Sequence, residues 1–355
     1  MTGPTPPPSG PVDLEGQHQR PFAEHLAMAR AFPGGGKMTV GAITPLEGYS
    51  GPVPTLTRHT EMVQRAERAG FASVWVRDVP LLDPQFGDAG QVLDPWVYLG
   101  HLAAGTSAVT LGTASAVLPL RHPLHTAKAA ASVDQLSGGR LLLGVATGDR
   151  PVEFPAFGQD IEARAETFRQ SLAYFRAALE TRFPDIDSPL GRMQGTDLLP
   201  KPVHGRIPVL MTGRGRQEVD WIAANTDGWL YYTPPFQEQA ENIRRWRELT
   251  GEDAGDGSRG FKPYAQATSL DLSENPLALP RRIHQGYAVG RTTFLEMLHA
   301  WQGMGVDQLM INFKQSRRPV AEVIDELAEY VLPDFPPGRT AEPQKGRRSK
   351  VRPGV

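Results

Sequence analysis

The sequence predicts an α/β fold closed into a (β/α)8 barrel, and three observations carry that expectation. Short β-branched or apolar runs alternate with longer stretches of helical period, as in parallel sheets covered by helices. The alternation repeats eight times between Met38 and Val331. That span suits a barrel with modest insertions better than an open sheet. The first strand is expected over residues 38–43. The first helix follows over 57–69, where Met62, Val63, Ala66 and Ala69 share one face and Gly70 supplies the stop. Strands two to four fall at 73–77, 109–118 and 141–147, with helices at 95–105, 124–136 and 163–180. Past Pro200 and Pro202, strands five and six fall at 208–212 and 228–232, with helices at 217–225 and 236–249. The last units pair a strand at 262–270 with a helix at 291–303, and a strand at 307–313 with a helix at 320–331.

The barrel is expected over 37–332, between two appendages. Residues 1–36 open on a Pro/Gly/Ser stretch, carry a helix-compatible piece at 22–32 and end in Pro33-Gly34-Gly35-Gly36, so a partly disordered extension is expected. Residues 333–355 form a Pro-rich, basic tail read as solvated. The segment 272–289, with two prolines and the adjacent Arg281 and Arg282, exceeds what a βα connection needs and is expected to be a mobile lid after strand seven.

Composition removes several function classes. Lys plus Arg number 37 against 39 Asp plus Glu, a net charge of −2, so nothing asks for nucleic acid. No apolar run reaches the roughly 18 residues of a membrane span, and the start of the chain lacks a basic-then-hydrophobic pattern, so a cytoplasmic protein is expected. With no cysteine there are no disulfides, thiol nucleophiles or cysteine metal sites, and redox chemistry needs a borrowed cofactor. Lys37 follows three glycines without the rest of a Walker A loop, and Gly213-Arg214-Gly215 lacks the third glycine of a dinucleotide fingerprint, Glu218 standing there. His122 and His125 have no converging third ligand; a capping or pocket role suits His122 better than metal binding.

Two segments carry chemistry. In 208–223 a strand runs into Gly213 and Gly215, two arginines follow, and a helix starts near Gln217, the form of a phosphate site in which Arg214 or Arg216 adds charge-assisted hydrogen bonds. In 134–158, Gly138 or Gly139 caps a helix, a buried strand follows, and Thr147-Gly148-Asp149-Arg150 sits at its carboxyl end, where barrels place their sites. Trp75, Arg77, Asp78, Trp96, Tyr232 and Asn312 are candidates for substrate contacts at the same mouth, Arg77 and Asp78 being the catalytic candidates.

The runs GTASAVLPLRHPLHTAKAAASVDQLSGGRLLLGVATGDR, VEFPAFG and TGRGRQEVDWIAANTDGW, in that order, resemble the bacterial luciferase-like monooxygenase superfamily of flavin- and deazaflavin-dependent oxidoreductases. The resemblance covers about 38–331. It implies a luciferase-like barrel with a strand-three bulge under the flavin ring at Ala114-Ser115, often containing a non-prolyl cis peptide. It also implies a cofactor phosphate held at Gly213, Arg214, Gly215, Arg216 and Gln217, with Ala146, Thr147 and Gly148 near the phosphate and ring edge. Two departures matter. Bacterial luciferase has a histidine after strand two, where this chain has Arg77-Asp78, and a reactive cysteine where Ala146 stands, so light emission is not expected and no general base is assigned. The implied activity is a monooxygenase using reduced FMN and molecular oxygen on a small organic substrate. A separate flavin reductase is expected because no nicotinamide site is visible, and a homodimer is left open. Two alternatives remain: hydride transfer with a 5-deazaflavin, and flavin binding without turnover. Arg281 and Arg282 are read as closing over an anionic ligand.

Overall fold

Runs that are apolar without alternation suit strands covered on both faces, and the strands that form the barrel are buried along nearly their whole length. The computed structural model describes residues 25–86, 93–251 and 260–338. In chain order its elements are α1 (Leu26–Ala31), β1 (Thr39–Ile43), α2 (His59–Ala69), β2 (Ser73–Val76), α3 (Pro95–Gly105), β3 (Thr110–Val117), α4 (Pro123–Ser137), β4 (Leu141–Ala146), α5 (Glu153–Ala156), α6 (Arg164–Glu180), β5 (Ile186–Ser188), β6 (Gly191–Met193), β7 (Val209–Thr212), α7 (Val219–Asn225), β8 (Gly228–Tyr232), α8 (Phe236–Thr250), β9 (Tyr264–Ser273), β10 (Arg281–Ile283), β11 (Gly286–Gly290), α9 (Arg291–Met304), β12 (Gln308–Asn312) and α10 (Val320–Tyr330).

The parallel order β1-β2-β3-β4-β7-β8-β9-β12 returns to β1, Thr39 pairing with Gln308, and closes a barrel of eight strands. Each barrel strand is followed by a helix outside, as the eightfold alternation predicts. Local chemistry fixes the helix ends. Asp94 Oδ1 accepts from the amides of Trp96 and Val97 while Pro95 opens α3, and His122 Nδ1 accepts from Leu124 N at the start of α4. Gly70 and Gly138, with φ of 99° and 68°, end α2 and α4 in the left-handed region. Helix α7 starts at Val219, two residues later than expected, because Gln217 is drawn inward: its Oε1 accepts from Arg169 Nε at 2.6 Å and its Nε2 donates to Ala165 O at 3.1 Å.

Three expectations are corrected by packing. The N-terminal extension is not wholly an appendage. Helix α1 buries Ala27, Met28 and Ala31 beside Trp75, Leu142, Leu210 and Met310, filling the amino end of the barrel. Thr39 Oγ1 donates to Ala31 O at 2.6 Å, and so does Gln308 Nε2 at 3.2 Å. The Pro-rich tail likewise begins as structure: Phe335 is buried, and Gly338 N donates to Arg30 O at 2.9 Å. Residues 1–24 and 339–355 lie outside the described residues.

The third correction concerns the segment expected to be a lid. Strand β9 continues to Ser273, and β11 pairs with it in parallel from Gly286↔Ser269 to Gly290↔Ser273, with β10 antiparallel to β11. A Cβ at Gly286 would collide with the Ser269 carbonyl oxygen, so a bare backbone is what lets the hairpin join the sheet. Its amides are spent on ladder hydrogen bonds, which a loose flap lacks.

Candidate functional site

The carboxyl ends of seven barrel strands surround a cavity of about 230 Å³. Its floor is apolar and buried: Ile43 from β1, Leu230 from β8 and Met310 from β12. Ala114 of β3 and Ala267 of β9 add small side chains. Its rim is polar and partly exposed, with Arg77 after β2, Tyr232 ending β8, Asn312 ending β12 and Lys314 beyond it, and His284 and Gln285 from the turn of the β10–β11 hairpin. Two wall hydroxyls, Thr212 Oγ1 and Thr268 Oγ1, are buried without a hydrogen-bond partner. Such groups are costly unless something brought into the cavity meets them.

Strand β3 breaks register with β4 between Thr113 and Ala116, and the Ala114-Ser115 peptide inside this bulge is cis. That is the geometry the resemblance implies there. On the β4–β7 side, Gly213 (φ 62°), Gly215 (φ 53°) and Arg216 (φ 54°) make a tight turn. A Cβ on Gly215 would collide with Met211 Cε and approach Thr147 Cγ2 at 3.3 Å, so the turn lies bare against the end of β4. Trp229 Nε1 donates to Gly213 O at 2.7 Å and pins it. Arg214 and Arg216 are exposed and make no ion pair among the described residues. Thr147 therefore stands beside the glycine turn, with Gly148 facing Val117 and Phe154, whereas the buried side chain of Gln217 is committed to Arg169 and Ala165.

The remaining candidates separate. Trp75 is fully buried inside the barrel, not at its mouth. Its Nε1 donates to Ser73 Oγ at 2.7 Å and to Gln308 Oε1 at 3.0 Å. Asp78 lies outside the central cavity, its carboxylate taken by Arg121 at 3.0 Å and by Val117 N at 3.2 Å. Together with Trp96, Asp78 lines a separate groove of about 710 Å³ between the starts of α3 and α4. Arg281 and Arg282 are exposed on the hairpin, with the Arg282 guanidinium 4.7 Å from the Tyr287 ring centre, and neither lines the cavity. Lys314, His284, Gln285 and Thr268 were not singled out by sequence. Lys314 follows a strand end and was open to the barrel-mouth rule; His284 arrives only because the hairpin folds back.

Behind the Thr147–Arg150 turn, burial pushes the Glu153 carboxyl up to about 7, with Asp78 adding in the same direction and Arg150 opposing. Arg150 is itself buried, stacked 4.5 Å from the Phe86 ring centre. Among the described residues no group of three His, Cys, Asp or Glu is placed to hold a metal, and no helix is long and apolar enough to cross a membrane.

A family profile described as luciferase-like monooxygenase matches residues 35–331, nearly the whole barrel. The chain belongs to the luciferase-like monooxygenase family. It is thus an oxidoreductase. An uncharacterized protein of Mycobacterium tuberculosis is 32% identical over 232 residues, 61% of this chain and 79% of that one. An F420-dependent secondary alcohol dehydrogenase, solved with an F420-acetone adduct, superposes with a TM-score of 0.69 at 18% identity, covering 84% of this chain and 99% of its own. The oxygenating constituent of 3,6-diketocamphane monooxygenase from Pseudomonas putida, solved with FMN, gives 0.66 at 13% identity over 85% and 100%. At these identities the solved structures speak to the fold, a luciferase-like barrel.

Proposed function

We propose that this family member is a monooxygenase that uses reduced FMN and molecular oxygen on a small organic substrate, with the cofactor phosphate held at the Gly213–Arg216 turn. The supporting observation is the bare backbone of Gly215 against Met211 and Thr147, flanked by two exposed, unpaired guanidiniums. A phosphate needs close backbone approach and positive charge, and this turn offers both. The residues fit a flavin-type group in two further respects: the β3 bulge presents the small side chain of Ala114, and Thr212, directly ahead of the glycine turn, presents an unmet hydroxyl.

The chemistry the bound group supplies is two-electron redox. The chain's own part is to hold and to screen. Arg214 and Arg216 neutralise the phosphate, Gly213 and Gly215 let the amides approach, and Ala114, Leu230 and Met310 keep the reacting face dry. With no dinucleotide fingerprint, reducing equivalents are proposed to come from a separate reductase. A second reading, hydride transfer with a 5-deazaflavin, is favoured by the same guanidiniums, since a longer acidic cofactor tail asks for more cations than one phosphate does.

The deciding experiment is titration of the purified protein with FMN and with a 5-deazaflavin. FMN binding that weakens by about 2 kcal/mol in a folded Arg214→Glu, Arg216→Glu variant supports the phosphate assignment. Unchanged affinity overturns it. Oxygen use with reduced FMN but no NADH oxidation by the isolated protein supports the two-component scheme. Tight deazaflavin binding without FMN binding favours the second reading.

A further inference from the structure

The ion balance at the cavity rim differs from that of the chain as a whole. Over the sequence, acidic and basic residues nearly cancel at 39 against 37. Among the described residues lining the central cavity, Arg77, Lys314 and His284 carry or can carry positive charge, and there is no carboxylate. The acid in β9, Asp271, is engaged by Arg317 Nε at 2.7 Å and lies outside the lining. Lys314 is held at the rim with its ammonium 5.2 Å from the Tyr49 ring centre, a contact that fixes its position without neutralising it. The cofactor's own phosphate, on the reading above, is met elsewhere, by Arg214 and Arg216.

We infer that the substrate is an amphipathic organic anion. Its oxyanion head meets Lys314 and His284 at the rim, and its apolar body lies on the floor made by Ile43, Leu230 and Met310. The segregation carries the inference: one sign of charge around a low-dielectric well concentrates field lines and favours ligands of the opposite sign. Asn312, Gln285 and the buried Thr268 hydroxyl add donors that an oxyanion or the group next to it can use. Matching apolar floor and polar rim is how small-molecule sites fix orientation.

This inference rests on the central cavity being the substrate site of the proposed oxidoreductase, and the test separates the two. Straight-chain carboxylates of four to twelve carbons and primary amides of the same lengths are titrated by calorimetry into FMN-loaded protein at pH 8, and in parallel into the cofactor-free protein. The expected result is binding of the carboxylate about ten-fold tighter than the amide at the best chain length. Added salt weakens the carboxylate but not the amide. In Lys314→Gln the preference falls several-fold while FMN affinity is unchanged. Equal affinity for acid and amide, no binding by either series, or a preference intact in both Lys314→Gln and Lys314→Glu overturns the inference. Failure of FMN to bind strikes the cofactor reading alone, because the cofactor-free titration still decides the charge preference.

Discussion

At the amino end of the barrel α1 inserts Ala27, Met28 and Ala31, none more than 1% exposed, and hydrogen bonds from the Thr39 hydroxyl and from the Gly338 amide tie it to β1 and to residue 338. At the carboxyl end the same strands finish in a well whose rim is half-exposed and whose hydroxyls at Thr212 and Thr268 lack partners. One end is packed shut by a buried helix; the other stays open as a half-exposed well. Substitutions should therefore act on stability at the closed end and on ligand binding at the open end, which is the division of labour barrels permit.

The largest effect is expected from a charge in the plug. Ala27→Asp places a carboxylate in a fully buried site and should cost about 3–5 kcal/mol in denaturant unfolding, whereas Tyr232→Ala at the rim should stay within about 0.5 kcal/mol. Similar losses from both would erase the contrast. Next is Trp75→Phe, which removes the donor that Ser73 Oγ and Gln308 Oε1 accept; about 1–3 kcal/mol of stability should go, with cofactor affinity unaltered. A change in affinity would return Trp75 to the site.

The closed end should also be sensitive to acid. Burial lowers the His25 pKa to about 3, with the His204 ring, 4.7 Å away between centres, adding to the effect and a hydrogen bond to the Arg206 backbone opposing it. The unfolded chain takes up a proton near 6.5 that the folded protein refuses, so this contribution to stability is full above about 6.5 and is lost as pH falls toward 3. The slope is about 1.4 kcal/mol per pH unit. Unfolding curves of His25→Gln between pH 4 and 6.5 should be flatter than those of the parent; parallel curves would remove His25 as the cause. The smallest effect is expected at the hairpin. Amides of β11 should be protected from hydrogen exchange before any ligand is added, and Arg282→Ala should cost under about 1 kcal/mol. Fast exchange that slows only on ligand binding would restore the lid.

Legibility followed the same division. Strands buried on both faces write continuous apolar runs such as 141–146, and capped helices write Asp94-Pro95 or Gly138, so the barrel could be read in order. The docking of α1 could not, because its flanking prolines and glycines describe a local chain while the burial of Met28 depends on strands far along the sequence. Rim residues at strand ends, Arg77, Tyr232 and Asn312, follow from the barrel rule. Trp75 misled because strand side chains alternate, and its place in β2 turns the indole into the barrel. The hairpin was hidden in a segment, 272–289, with prolines and no period-two pattern, so His284 could not be placed at the cavity from sequence.

The Gly338–Arg30 backbone bond, together with His25 packed on His204, sets both described ends of the chain on the face opposite the cavity. A partner domain or immobilisation tag joined directly at residue 25 or residue 338 would thus stand behind the barrel, leaving the mouth open to small molecules. A fused electron donor would need a linker long enough to travel around the helices before it could serve the site.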